Sequence, residues 1–229
     1  MADVDSHATQ RGLAPDIPAE LRNAGFDAVT EIGHGGFGVV YRCVQPMLDR
    51  TVAVKVLTSD LDPDNLDRFI REQRAMGRLS GHPHIVQIFE VGTTASGRPF
   101  IVMPYHAKDS LEALIRGHGP LDWRETLSIG VKLAGALDAA HRVGTLHRDV
   151  KPANILVDRS PGRPDHVYLS DFGLSKGAAS SASLTGAGMF LGTPDYSAPE
   201  QVSGQVVDGR ADQYALGCVA FTLLAGAAP

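Results

Sequence analysis

Strand-like segments crowd the first half of the chain and helix-like segments the second, and that order limits the architectures open to it. AVTEIG (28–33), GVVYRCV (38–44) and RTVAVKVL (50–57) are β-branched and bounded by turn residues, as strands are. HIVQIFEVG (84–92) and RPFIVMPY (98–105) read the same way. Between them Asp62 and Pro63 open a helix, with Leu66, Phe69, Ile70, Met76 and Leu79 as its apolar stripe. After Tyr105 come SLEALIR and DWRETLSIGVKLAGALDAAHRVG, where Asp122 and Glu125 resemble a capping box and Gly144 closes the helix. The expected fold is α+β in two lobes, a β-rich lobe over 26–103 and a helical lobe over 104–229. Residues 1–25 carry charge, Pro and Ala without an apolar period and are expected to be a flexible leader.

Four polar clusters interrupt this pattern. IGHGGFGVVYR sets Gly33, Gly35 and Gly38 in a GxGxxG spacing, with Gly36 in addition. A dinucleotide fingerprint needs a helix next, and a Walker loop needs Gly-Lys-Ser/Thr. Here the β-branched VVYRCV follows, so the glycines turn one strand into the next and can lay backbone N–H groups over phosphates. A plain glycine hairpin remains the alternative when this segment is read alone. Further on, VAVK places Lys55 inside an apolar strand, where a snorkelling edge lysine is the ordinary reading. Glu72 shifts the balance, because it lies on the buried stripe between Phe69 and Met76. A carboxylate there needs a cation, and Lys55 is the natural partner.

HRDVKPAN (147–154) stands between the helical LSIGVKLAGALDAA and the strand-like ILV. Asp149 and Asn154 share its loop, and Asp171 opens DFG after another short strand. Turn formation accounts for any isolated Asp or Asn. Mg²⁺ takes one or two protein oxygens and lets substrate phosphates complete its shell. Asn154 and Asp171 suit that role, which leaves Asp149 to accept a proton.

Taken in order, GxGxxGxV, VAVK, the helical Glu72, HRDVKPAN, DFG and APE (Ala198–Glu200) resemble a eukaryotic-type protein kinase catalytic domain from about Phe26 onward. The likeness is greatest to bacterial serine/threonine kinases, and PAELRNAGFDAVTEIGHGGFGVVYRCVQP with VAVKVLTSDLDPDNLDRFIREQRAMG further resembles the actinobacterial kinase K type. The resemblance implies transfer of the γ-phosphoryl of ATP to serine or threonine hydroxyls of protein substrates, with Mg²⁺ as cofactor. It makes Asp149 the catalytic base, Lys151 a support for the transferred phosphoryl, and Lys55 a phosphate contact paired with Glu72. Asn154 and Asp171 hold the metal. The nucleotide is held by Ile32, Gly33, Gly35, Gly36, Gly38, Val40, Ala53, Lys55, Met103, Pro104, His106 and Leu156, with the His106 N–H meeting adenine. Met76, Ile88, His147 and Phe172, anchored by Asp212, form a spine joining the lobes. Arg148 beside Asp149 implies switching by phosphorylation of the following loop, at Thr185 first, then Ser183 and Ser181. Thr193 is expected to hydrogen-bond near Asp149.

The balance of 21 basic against 26 acidic residues gives a formal charge of −5, which argues against nucleic-acid or anionic-membrane partners. Two cysteines make no disulfide framework, and MADVDSHATQRG has no hydrophobic signal segment. The longest apolar run, YALGCVAFTLLAGAAP, is shorter than the roughly 18–20 residues of a membrane span. These features predict a soluble cytoplasmic protein. His82 and His84 flank a proline in a turn and are not expected to bind metal.

In the kinase family further helices pack around the segment matching RADQYALGCVAFTLLAG and supply an arginine to the APE glutamate. Their absence after Pro229 implies a C-lobe lacking its last helices, an exposed apolar patch near Leu216–Leu224, and a C-terminal regulatory region outside this chain. The alternative function is a non-catalytic nucleotide-binding or scaffold fragment of a larger regulatory kinase. A small-molecule phosphotransferase is a third reading, disfavoured by the full glycine loop and the GT…APE segment.

Overall fold

The computed structural model describes residues 15–35, 38–57, 63–106, 110–158, 166–172 and 194–229; the side chains of 63–68 and of Glu72 lie outside the description. Helix α1 (Ile17–Asn23) precedes strands β1 (Asp27–Gly35), β2 (Gly38–Gln45) and β3 (Arg50–Leu57). Helix α2 (Pro63–Gly77) leads to β4 (Glu90–Thr93) and β5 (Pro99–Pro104). These strands form one antiparallel sheet in the order β1-β2-β3-β5-β4. Helices α3 (Leu111–His118) and α4 (Trp123–Arg142) follow, then the hairpin of β6 (Ile155–Asp158) and β7 (His166–Leu169). Helices α5 (Pro199–Val202) and α6 (Gly209–Ala225) complete the described chain.

The caps explain where the helices begin. Ser110 Oγ accepts from the Ala113 N–H at 3.2 Å to start α3. Asp122 Oδ1 accepts from the N–H groups of Arg124 and Glu125 at 2.7 and 3.1 Å to start α4. Gly144, at φ 77°, supplies the left-handed residue that ends that helix region. Gly38 is required by close approach: a Cβ there would run into the Val56 carbonyl oxygen of the adjacent strand.

Each half of the chain buries its own core. Leu133, Ala136, Leu137 and Ala140 of α4 meet Ala215, Val219 and Leu223 of α6 and the buried face of the β6–β7 hairpin. Alternation along the hairpin is strict: Ile155, Val157, Val167 and Leu169 are buried, while Leu156, Asp158, His166 and Tyr168 face the other way. In the sheet-bearing half, Val52, Val54, Phe100 and Val102 pack with Phe26, Tyr41 and Cys43.

Two sequence expectations are corrected. Residues 17–23, read as part of a flexible leader over 1–25, form α1, because Ile17 and Leu21 have a place in the sheet's core, 7% and 0% exposed. Glu20 fixes the helix further, its Oε2 accepting from the Ser96 N–H and hydroxyl at 2.9 Å each. Only part of HIVQIFEVG is strand. Its first residues pair instead with β7, the Val86 N–H donating to Leu169 O at 3.0 Å and the Leu169 N–H to His84 O at 2.9 Å. The apolar face expected near Leu216–Leu224 is present, with Tyr214, Phe221 and Leu224 close to half exposed.

Candidate active site

The loop carrying HRDVKPAN is organised around a buried carboxylate. Asp212 of α6 is 1% exposed and accepts from the N–H groups of His147 (2.9 Å) and Arg148 (2.6 Å). His141 Nε2 donates to the same carboxylate at 2.7 Å. His147 is wholly buried, and burial holds its imidazole below the ordinary range against the pull of Asp212. Its two partners fix a neutral tautomer: Nε2–H donates to Ser170 O at 2.8 Å, and Nδ1 accepts from the Asp149 N–H at 3.3 Å. One histidine thus ties the loop to the segment that leads from β7 into Asp171.

Each acidic site residue is paired with one lysine. Lys151 Nζ lies 2.9 Å from Asp149 Oδ2. Asn154 Nδ2 donates to Asp149 O at 2.7 Å and to Asp149 Oδ2 at 3.0 Å. Both bonds use the amide nitrogen, so Oδ1 is the end that can face a cation. Asn154 is itself pinned, its carbonyl accepting from the Ser170 N–H at 2.9 Å and hydroxyl at 3.0 Å. Lys55 Nζ reaches Asp171 Oδ2 at 2.7 Å across the space between β3 and the end of β7. Arg148 and Asp171 both hold left-handed backbone, at φ 68° and 66°. For side chains other than glycine this is strain of the kind found where a fold over-determines a functional geometry.

The structure therefore brings Asp149, Lys151 and Asn154 into one cluster and Lys55 and Asp171 into a second. The expected Lys55–Glu72 pair falls on a side chain outside the described residues. Gly36, Thr185, Ser183, Ser181 and Thr193 lie outside them as well. Gly33 and Gly35 stand opposite Val40 and Gly38 in the β1–β2 hairpin, and Ile32 just before them is 46% exposed. Val40 sits beside Lys55, and Ala53 beside Met103, in the sheet register. Pro104 ends β5, and the His106 ring lies 4.7 Å from the Tyr168 ring, next to Leu156 across the β6–β7 ladder. The expected spine is assembled: Met76, Ile88 and Phe172 border one cavity, and the Phe172 and His147 ring centroids are 4.5 Å apart.

Sequence reading missed His141, Ser170 and Gln201. Each acts through a hydrogen bond to residues far away in the chain. Among the described residues no three His, Cys, Asp or Glu side chains cluster to hold a metal. The donor set at this site is instead one carboxylate and one amide oxygen, a hard-oxygen pair that fits Mg²⁺ completed by phosphate oxygens.

This fold and this set of residues define a protein kinase core. The protein kinase domain model matches residues 26–229, and the chain belongs to that family. It is 66% identical over 226 residues to the serine/threonine-protein kinase PknK of Mycobacterium bovis, covering 99% of this chain and 20% of that protein. With PknJ of the same organism the identity is 41% over 219 residues, covering 95% of this chain and 36% of that one. The chain thus spans about a fifth of the length of its PknK relatives. Among solved structures, a double mutant of the Mycobacterium tuberculosis PknI kinase domain superposes with a TM-score of 0.73 at 36% identity, covering 90% of this chain and 77% of that one. Its two-lobed kinase fold is shared here. Among the described residues no helix is long and apolar enough to cross a membrane.

Proposed function

We propose that this chain transfers the γ-phosphoryl group of ATP to serine and threonine hydroxyls of protein substrates, its own activation loop among them. The observation that carries the reading is the pair of clusters Lys55–Asp171 and Asp149–Lys151–Asn154. Phosphoryl transfer through a loose transition state asks for positioning and charge neutralisation rather than covalent catalysis. These clusters contain that inventory and no activated nucleophile.

In this reading Asp149 accepts the proton of the attacking hydroxyl, and its carboxylate is already aimed by Asn154 and Lys151. Lys151 steadies the transferred group, and Lys55, with Glu72 as its expected second partner, meets the α- and β-phosphates. Asn154 and Asp171 would hold Mg²⁺, which when bound neutralises charge on the phosphate oxygens. Ile32, Gly33, Gly35, Gly36 and Gly38 cover the phosphates with backbone. Val40, Ala53, Leu156, Met103, Pro104 and the His106 N–H receive the adenine. The lobes divide near residues 103 and 104, the protein works in the cytoplasm, and a regulatory region beyond Pro229 receives its signals.

The test offers the purified chain Mg·ATP with a mixture of Ser-, Thr- and Tyr-containing peptides. Phosphate on Ser and Thr alone is expected. Phosphate on small-molecule alcohols but on no peptide would overturn the reading.

A further inference from the structure

Gln201 lies outside the residues to which phosphoryl transfer has been ascribed, yet it touches the loop that carries the base. Its Nε2 donates to the Arg148 carbonyl at 3.0 Å, and its Oε1 accepts from the Ala198 N–H at 3.2 Å. Both ends of the amide are used, and the bond to Arg148 spans 53 residues of sequence.

The peptide unit that Gln201 grips is the one joining Arg148 to Asp149. Its carbonyl is held by Gln201 and its N–H by His147 Nδ1, so the plane is clamped at both edges. The preceding unit is fixed by Asp212, which takes the Arg148 N–H at 2.6 Å. Arg148 sits between these two planes at φ 68°, a conformation costing about 1 kcal/mol or more for a residue with a side chain. Such a residue keeps its geometry only while its neighbours over-determine it. The orientation of the second plane sets the direction of the Asp149 Cα–Cβ bond, and hence where the carboxylate points.

We propose that Gln201 is a positioning residue for phosphoryl transfer, holding the Arg148–Asp149 peptide so that Asp149 faces the substrate hydroxyl. Because Gln201 lies on α5, which follows the Pro194–Tyr196 turn, it links that part of the chain to the base. The inference rests on Asp149 being that base.

Two variants separate the roles of the amide. Gln201→Glu keeps the acceptor for Ala198 but sets a carboxylate against the Arg148 carbonyl, and Gln201→Met removes both bonds at similar length. Both are expected to lower kcat by about 10- to 100-fold, the scale of a misplaced catalytic group, with KM for Mg·ATP within about twofold of the parent. Their melting temperatures should fall by no more than a few degrees, roughly the scale of one or two lost hydrogen bonds. Amide hydrogen exchange, read by mass spectrometry on the peptide covering residues 145–152, should quicken in both variants and needs no turnover. Unchanged exchange there overturns the proposal whatever the activity. So does an unchanged kcat, or a loss of kcat that follows a loss of nucleotide affinity and melting temperature. Asp149→Asn is run in parallel: turnover surviving that change refutes the base assignment itself, separately from the exchange result.

Discussion

Lys55 Nζ lies 2.7 Å from Asp171 Oδ2, so one ion pair connects the middle of the five-stranded sheet to the segment leaving β7. The lysine side chain is 9% exposed, which places its charge where water screens it little. Lys55→Met is expected to lower phosphoryl transfer by about 10²–10³-fold, the scale for losing one preorganised charge-stabilising group. Transfer of labelled γ-phosphate to a protein substrate measures it, and a rate equal to the parent's would contradict the role.

Leu21 is fully buried beneath the sheet although it lies before the residues matched by the family model. Truncating it leaves a cavity among Phe26, Tyr41 and Phe100. Leu21→Ala should cost about 2–5 kcal/mol of stability, read as a lowered urea midpoint with an unchanged slope. No change in midpoint would mean that α1 is not docked in solution.

Three histidines make the stability of the fold depend on pH below neutrality. Burial lowers the values of His84, His106 and His147 below the ordinary 6.5. Below that pH the unfolded chain binds more protons than the folded one, so stability is full above it and declines as the pH falls. Denaturant midpoints taken between about pH 7.5 and about pH 5.5 should fall with acidification, across the range where histidine titrates. A flat or rising profile would show that these imidazoles protonate freely in the folded state.

Gln73 is 3% exposed, and its Nε2 has no hydrogen-bond partner among the described residues. It borders a cavity of about 30 Å³ with Met76, Met103 and Phe172. An unsatisfied buried donor is a cost that an apolar side chain of similar size avoids. Gln73→Met should raise stability by about 1 kcal/mol, seen as a higher melting temperature. A lower one would show that the amide has a partner in solution.

Much of this was legible because it is local. Asp122 announces its helix by its cap, and β-branched runs announce β2, β3 and β5. Lys55, Asp149, Asn154 and Asp171 were named from residue type and order, and the fold gathers them into two adjoining clusters. What escaped depends on partners remote in the chain. Helix α1 is only 7 residues long, too short to be stable by propensity, and exists because the sheet buries Ile17 and Leu21. His84 to Phe89 carry strand composition, yet the run pairs at its start with β7, and no local pattern specifies that choice. Gln201 has nothing in its surroundings to mark the Arg148 carbonyl as its partner.

The central claim is that Asp149 is the base of a working phosphotransferase, and intact-mass spectrometry tests it most directly. The purified chain and its Asp149→Asn variant are incubated identically with Mg·ATP. A phosphate-sized gain in the parent, absent from the variant, is the predicted result. Equal gains in both would remove Asp149 from the chemistry, and no gain in either would make this chain the non-catalytic fragment.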